Sequence, residues 1–173
     1  MYSNYRELLP GEFDASSRVW IYQSSRLFNI PEALEIEGLL TTFVSEWNSH
    51  GTPVKGYANL LFGQFIILMA DEKASKVSGC STDSSIRFIK EMESRFSVQF
   101  FDRQLLAFLI KDKVQLIPLA QLASGIAHGL IHQDTLYFNN TILSKTELEK
   151  NWIIPVKESW LASKISSPQA LIH

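Results

Sequence analysis

Apolar positions along the chain switch between a period of two and a period near 3.6, and the switches mark its elements. The run "RVWIYQ" (18–23) is β-branched and aromatic and predicts a first strand. At "NIPE" (29–32) a helix begins: Asn29 can cap it, Pro31 suits its first turn and Glu32 can reach back to the cap. Ile36, Leu39, Leu40, Phe43, Val44 and Trp47 then recur on one helical face. His50 and Gly51 read as the close of this helix, the histidine as a cation at its negative end. Residues 54–71, "VKGYANLLFGQFIILMAD", predict a hairpin about Gly63-Gln64, with glycine opening a type II′ turn. Its second strand, "FIILMA", is apolar at every position, as a strand covered on both faces requires.

A second helix is expected from Ser81–Asp83 onward, burying Ile86, Ile89, Met92 and Phe96 and turning Arg87, Lys90, Glu91 and Glu93 to water. Residues 105–110 and 114–119 predict another hairpin, about Asp112-Lys113. A third helix falls within "LAQLASGIAHG", weakened by Gly125 and ended by Gly129. A short strand, "TLYF" (135–138), and a capping-box helix start, "SKTE" (144–147), follow. Residues 1–17 read as irregular and 162–173 as a loose tail. The pattern is that of one α+β domain over 1–173, a mostly antiparallel sheet with helices packed on it. Its first six elements follow the ferredoxin-like, split βαβ order, and a C-terminal extension continues the sheet or covers an edge. Short hairpins force antiparallel pairing and argue against a doubly wound parallel sheet.

Composition narrows the function classes. The chain of 173 residues has 46% hydrophobic and 20% charged residues, enough apolar material for a substantial core. With 16 basic against 18 acidic residues there is no positive field to recruit nucleic acid or anionic lipid. The longest apolar stretch, at 60–70, is too short to span a bilayer, and the start of the sequence lacks a signal-peptide pattern. A single cysteine excludes an intramolecular disulfide, and a cytoplasmic protein is the expectation.

Four segments occur together in order: "RVWIYQ" (18–23), "SGCSTDSSIRFIKE" (78–91), "YFNN" (137–140) and "NWIIPVKESW" (151–160). With them the chain resembles, over nearly its whole length, a family of small uncharacterised Bacteroidetes proteins often labelled "ABC transporter ATPase". The resemblance implies a bacterial protein and no established activity. The residues do not support the label. An ATPase of that kind needs G-x-x-x-x-G-K-[ST], in which glycine backbone wraps phosphate and Lys and Ser/Thr meet phosphate and magnesium. Lys145-Thr146 has no glycine in register before it, "SGCSTDSS" has no lysine, and no Leu-Ser-Gly-Gly-Gln signature is present. Asp71-Glu72, after an apolar strand, reads as a solvated turn.

The chemistry the sequence offers centres on "SGCSTDSS" (78–85). Cys80 just ahead of a helix would feel free N–H groups and the positive dipole end, which activate a thiol. Asp83 opposes a thiolate, and the stretch reads chiefly as a helix entrance with Ser81, Thr82 and Asp83 competing as caps and Cys80 small and partly buried. Anion binding by the same stretch meets the same objection. His128 and His132 lack the intervening glutamate of a zinc helix. Trp20 and Tyr22 share one strand face, opposite Val19, Ile21 and Gln23. With helices on the Val19/Ile21 face, they are either a binding surface flanked by Arg18 and Arg26 or packed beneath residues 151–160. Trp47 is core. The sequence thus points to a non-enzymatic cytoplasmic module that binds a small molecule or protein and can self-associate as a homodimer, with no cofactor, metal, membrane or nucleic acid called for. The alternative is an enzyme using Cys80, with Arg18 or Arg103 holding a small anionic substrate.

Overall fold

The computed structural model describes residues 2–74 and 76–165. They form two compact units: the chain up to Phe101 with Thr141–Glu149, and Asp102–Asn140 with the chain from Lys150 onward.

The first unit is built on three antiparallel strands, β1 (Arg18–Gln23), β4 (Gly56–Leu61) and β5 (Phe65–Ala70), in the order β1-β5-β4. Every residue of β5 is buried, which is why its sequence is apolar without alternation. Two helices, α1 (Ile30–Glu46) and α2 (Gly79–Phe96), share a core with Tyr22, Leu60, Ile66 and Leu68 from the sheet. Tyr22 therefore lies buried beneath these helices, and Trp20 packs partly buried against the same core, so the pair is not an exposed aromatic surface. Strand alternation defines two faces without saying which one the helices take. Here the register Trp20↔Leu68 and Tyr22↔Ile66 puts the bulkier row under them. The opposite face meets the N-terminal segment. There a 3-10 helix, Tyr2–Leu8, occupies part of the stretch read as irregular. Tyr5 packs edge-on to Phe62, and Phe13 to Tyr57.

Helix α1 carries the full Asn29/Glu32 capping box with Pro31 in its first turn. It ends earlier than its sequence suggests. Glu46 is the last helical residue, Trp47 caps it, and a small hairpin follows, β2 (Asn48–Ser49) with β3 (Thr52–Pro53). His50 and Gly51 form that hairpin's turn with φ of 50° and 79°, so His50 is a turn residue and not a helix-end cation. Both central φ values are positive, as the primed turns that match strand twist demand. The β4–β5 loop obeys the same rule. Phe62 and Gly63 take φ of 56° and 61°, and Gln64 N–H closes the turn on Leu61 O at 3.1 Å. The expected Gly63-Gln64 type II′ turn is thereby shifted one residue toward the N-terminus. Gly56 is required for a different reason: a Cβ there would stand 2.7 Å from Cε3 of Trp47.

The strands after Phe101 do not extend this sheet. β6 (Leu105–Ile110), β7 (Lys113–Pro118), β8 (Leu136–Phe138) and β9 (Ile153–Pro155) make a separate antiparallel sheet, ordered β7-β6-β8-β9. The β6–β7 turn is Lys111-Asp112, again with two positive φ values. Phe108, Ile117, Tyr137, Val156 and Leu161 form its core with Leu122 of α3 (Leu122–Ala127). Trp152 is fully buried against Phe138, and its indole N–H donates to Asn140 Oδ1 at 3.0 Å. It follows α4 (Lys145–Asn151), whose Ser144/Glu147 cap is as read from the sequence. Of the segment read as a tail, α5 (Ala162–Ile165) is a helical turn and the rest lies outside the described residues.

Trp47 is 2% exposed, whereas Phe43, one turn earlier, is half-buried. Trp47→Ala is expected to cost about 3–5 kcal/mol, the range for truncating buried large aromatics. Phe43→Ala is expected to cost clearly less. Denaturant unfolding of the two variants checks the order.

Candidate functional site

Helices α1 and α2 run antiparallel across the sheet, as three contacts show. Arg95 Nε donates to Glu35 Oε1 at 2.6 Å, Phe43 stacks on Phe88 at 4.5 Å, and Trp47 Nε1 donates to Ser81 O at 3.0 Å. Alongside the second and third of these an open groove of about 310 Å³ runs along the helix pair. This is at the small end of ligand pockets, roughly 300–1,000 Å³. Its floor is Leu39, Phe43, Trp47 and Phe88, and its rim is Thr42 and Glu46 from α1 with Ser84, Arg87 and Glu91 from α2.

The sequence makes this groove in two steps. The first turns of α2 read Gly-Cys-Ser-Thr-Asp-Ser-Ser, and Ser81 and Ser85 are fully buried. Such small side chains let the helix lie close to the sheet and leave nothing bulky to fill the space above Phe88. Beneath it the rings form a ladder: Trp20 meets Trp47 at 6.0 Å, Trp47 meets Phe43 at 5.1 Å, and Phe43 meets Phe88. Offset and tilted aromatic contacts of this kind are favourable beyond their buried area.

The rim is electrostatically unfinished. Helix α1 carries Glu32, Glu35, Glu37 and Glu46 and no lysine or arginine. Glu46 ends the helix, where the macrodipole is negative and a cation is the stabilising residue. Among the described residues, Glu37, Glu46, Arg87 and Glu91 make no ion pair. The sequence reading put Leu39, Phe43 and Trp47 on the core face of α1 and Arg87 and Glu91 in water, and did not see that the two helices bring them together as one groove. Leu39, Thr42 and Glu46 on α1, like Ser84, Phe88 and Glu91 on α2, recur at i, i+3 or i+4 along the flank of the core stripe.

The residues singled out in the sequence lie elsewhere. Cys80 is the second residue of α2 and is exposed, not partly buried. The helix begins at Gly79 and not at Ser81–Asp83, so Cys80 lies within the first turn and at the surface. Ser78 is the N-cap, and Ser81 completes the box by accepting Ser78 N–H at 2.9 Å. Ser81 Oγ also donates to Ser78 O at 2.8 Å, and Thr82 Oγ1 to the same carbonyl at 3.3 Å. The hydroxyls are thus spent on their own helix start, and Asp83 is exposed. Arg18 lies over Trp20 at 4.9 Å, with Glu72 at 3.9 Å. Arg26 grips both oxygens of Glu32 at 2.8 Å and donates to Phe96 O at 2.7 Å. Arg103, in the second unit, is exposed. Among the described residues no group of three His, Cys, Asp or Glu could hold a metal, and no helix is long and apolar enough to cross a membrane. No family model, curated protein or solved structure matches the chain.

The Arg26 fork, with Asn29 N–H assisting, lowers the Glu32 carboxyl from 4.5 to about 2. A depressed carboxylate contributes stability above its unfolded pKa and loses it as pH falls through the folded value. The contribution should therefore fade between pH 4.5 and about 2. Urea unfolding of Glu32→Gln across this window should show a shallower fall of stability with acid than the parent. Identical slopes would mean that the pair is broken in solution.

Proposed function

We propose that this chain is a non-enzymatic cytoplasmic binding or interaction module whose site is the α1–α2 groove. The observation that carries this reading is an aromatic floor beneath a rim whose charged side chains make no ion pair among the described residues. An occupant with an apolar or aromatic group and adjoining charge would satisfy both. The resemblance to the Bacteroidetes family belongs to this reading and adds no activity to it. The missing phosphate-loop glycines and lysine count against the ATPase label. An enzyme built on Cys80 is the second reading, favoured by the exposure of that thiol at the first turn of a long helix.

One experiment separates the two. Thr42 is exposed at the groove rim, so Thr42→Trp fills the groove without removing a core side chain. A fluorescent naphthalenesulfonate probe should bind the parent and bind Thr42→Trp at least about tenfold more weakly, the loss of one well-buried apolar contact. Equal binding by both would place the site elsewhere. In the same samples, Cys80 should alkylate no faster than a free exposed thiol such as glutathione. Alkylation much faster than that of the free thiol, with the probe unbound, would replace the module reading with the enzyme.

A further inference from the structure

We propose that strand β4 is a docking edge: it takes, as a fourth strand of its sheet, an extended segment of another protein that carries a large apolar residue and, two positions on, a lysine or arginine. β4 is the outer strand of the order β1-β5-β4. In an antiparallel pair alternate residues turn their N–H and C=O groups away from the neighbour. Among the described residues, no backbone group of Gly56–Leu61 hydrogen-bonds anything except β5 and the turn that joins the two strands. Gly56, Tyr57, Ala58 and Asn59 are partly exposed. The chain guards its other edges. β1 is bridged to Ser144, and Val19 N–H donates to Leu143 O at 3.0 Å. In the second sheet β7 carries Lys113 and Pro118, and β9 is three residues long and ends in Pro155. Cover, charge, proline and shortness are the ways edges are protected from pairing. β4 reads Gly-Tyr-Ala-Asn-Leu-Leu and has none of them. An edge left open among guarded ones is kept for a strand that arrives from outside.

The chemistry of that strand is set by α1, which overhangs this edge. Val44 Cγ1 would stand 3.7 Å from a Cβ added at Gly56, and Phe28 N–H donates to Gly63 O at 2.9 Å, so α1 runs antiparallel along β4. At about 100° per residue, Ile30, Glu37, Thr41 and Val44 share the flank of α1 opposite Leu39, Thr42 and Glu46, which line the groove with α2. Above the open edge this flank presents Ile30, 77% exposed, with Leu34 beside it at 64%, and then the exposed Glu37. Glu37 makes no ion pair among the described residues, and α1 has no lysine or arginine to supply one. The midpoint of Ile30 and Leu34 lies about 7 Å from Glu37 along the helix axis, close to the ~7 Å between alternate residues of a strand. One face of an added strand therefore meets apolar surface at one position and a carboxylate at the next. A second copy of this chain fits this edge less well. Glu37 stands midway between Ile30 and Val44, so pairing β4 with itself along its length would turn two copies of that carboxylate toward each other, and like charges repel.

The probe is a fluorescein-labelled peptide, Thr-Val-Thr-Lys-Thr-Val-Thr, with a twin that has glutamate in place of lysine. Fluorescence anisotropy should show the parent binding the lysine peptide about fivefold more tightly than its twin, the contrast between one exposed attraction and one exposed repulsion. Glu37→Lys should reverse that order with an unchanged circular dichroism spectrum, since Glu37 is exposed. Leu34→Ser should weaken both peptides. Amide hydrogen exchange should slow within residues 56–61 when the lysine peptide binds. Methylating the peptide's backbone nitrogens at the threonines, or in a second peptide at the other three positions, should abolish binding in one case and spare it in the other, because only alternate groups face the edge. A peptide that displaces the naphthalenesulfonate from the α1–α2 groove and leaves 56–61 unprotected would overturn the edge and leave the groove standing. A reversible dimer in sedimentation velocity that itself protects 56–61 would overturn the foreign strand in favour of a second copy. No binding of either peptide at millimolar concentration, or the same preference in the parent and Glu37→Lys, would also overturn it.

Discussion

The indole of Trp47 donates its N–H to the first turn of α2, rests its ring against Trp20 of the sheet and Phe43 of α1, and occupies the space that a side chain at position 56 would need. The first unit's helical layer depends on this placement. A buried indole N–H left unpaired is costly, so the Ser81 carbonyl fixes where α2 begins to cover the sheet. The size of the ring in turn holds the C-terminal end of α1 away from β4, and only a residue without a Cβ fits beneath it. The groove is the remainder: a wide aromatic ring at one end and the Arg95–Glu35 contact beyond the other keep the helices apart, while serines between them fill little of the gap.

The other face of the same sheet is closed by chain from both ends of the first unit. Lys145 Nζ donates to Phe13 O, Val19 N–H to Leu143 O, and Thr146 N–H to Ala15 O. Tyr5 reaches Leu148 O with its hydroxyl. The edge of β1 is thereby partly occupied by the stretch around Ser144, which bridges to Arg18, and an edge with occupied hydrogen-bonding groups is a poor template for stray pairing. Asp71, nearly buried at the end of β5, accepts from Lys55 at 2.9 Å, and Lys55 also reaches Glu12 O. That ammonium holds the Asp71 carboxyl below its usual range, so a charge at a strand end anchors the N-terminal segment as well.

Much of this was legible in the sequence because local rules decided it. The Asn29 cap, the six buried positions of β5 and the Ser144/Glu147 box stand where propensity, spacing and capping chemistry agree. The misses fall where a distant contact overrode a local preference. Helix α1 stops at Glu46 because Trp47 must turn into the core, a constraint set by Ser81 more than thirty residues later. Primed turns placed Phe62 and Lys111 at positive φ, where side-chain statistics would have put glycine. Cys80 drew attention by being single, yet its exposure followed from Ser78, not Ser81, taking the cap. The groove itself belongs to two helices jointly, and no single stretch of sequence describes it.

The wholly apolar strand β5 also shapes how the chain can assemble. Its pairing with β4 needs only a three-residue loop, whereas its pairing with β1 must bridge more than forty residues of intervening chain, including all of α1. Local pairing precedes distant pairing because loop closure is the dearer step in entropy. A nascent β4–β5 hairpin therefore displays one naked edge of Phe-Ile-Ile-Leu-Met-Ala, uncharged and free of proline and glycine, the composition that stacks into cross-β assemblies. Whatever slows the arrival of β1, whether translation pace or a destabilised α1, lengthens the life of that edge. In the cell, solubility during synthesis and not stability once folded is then the property that this strand puts at risk.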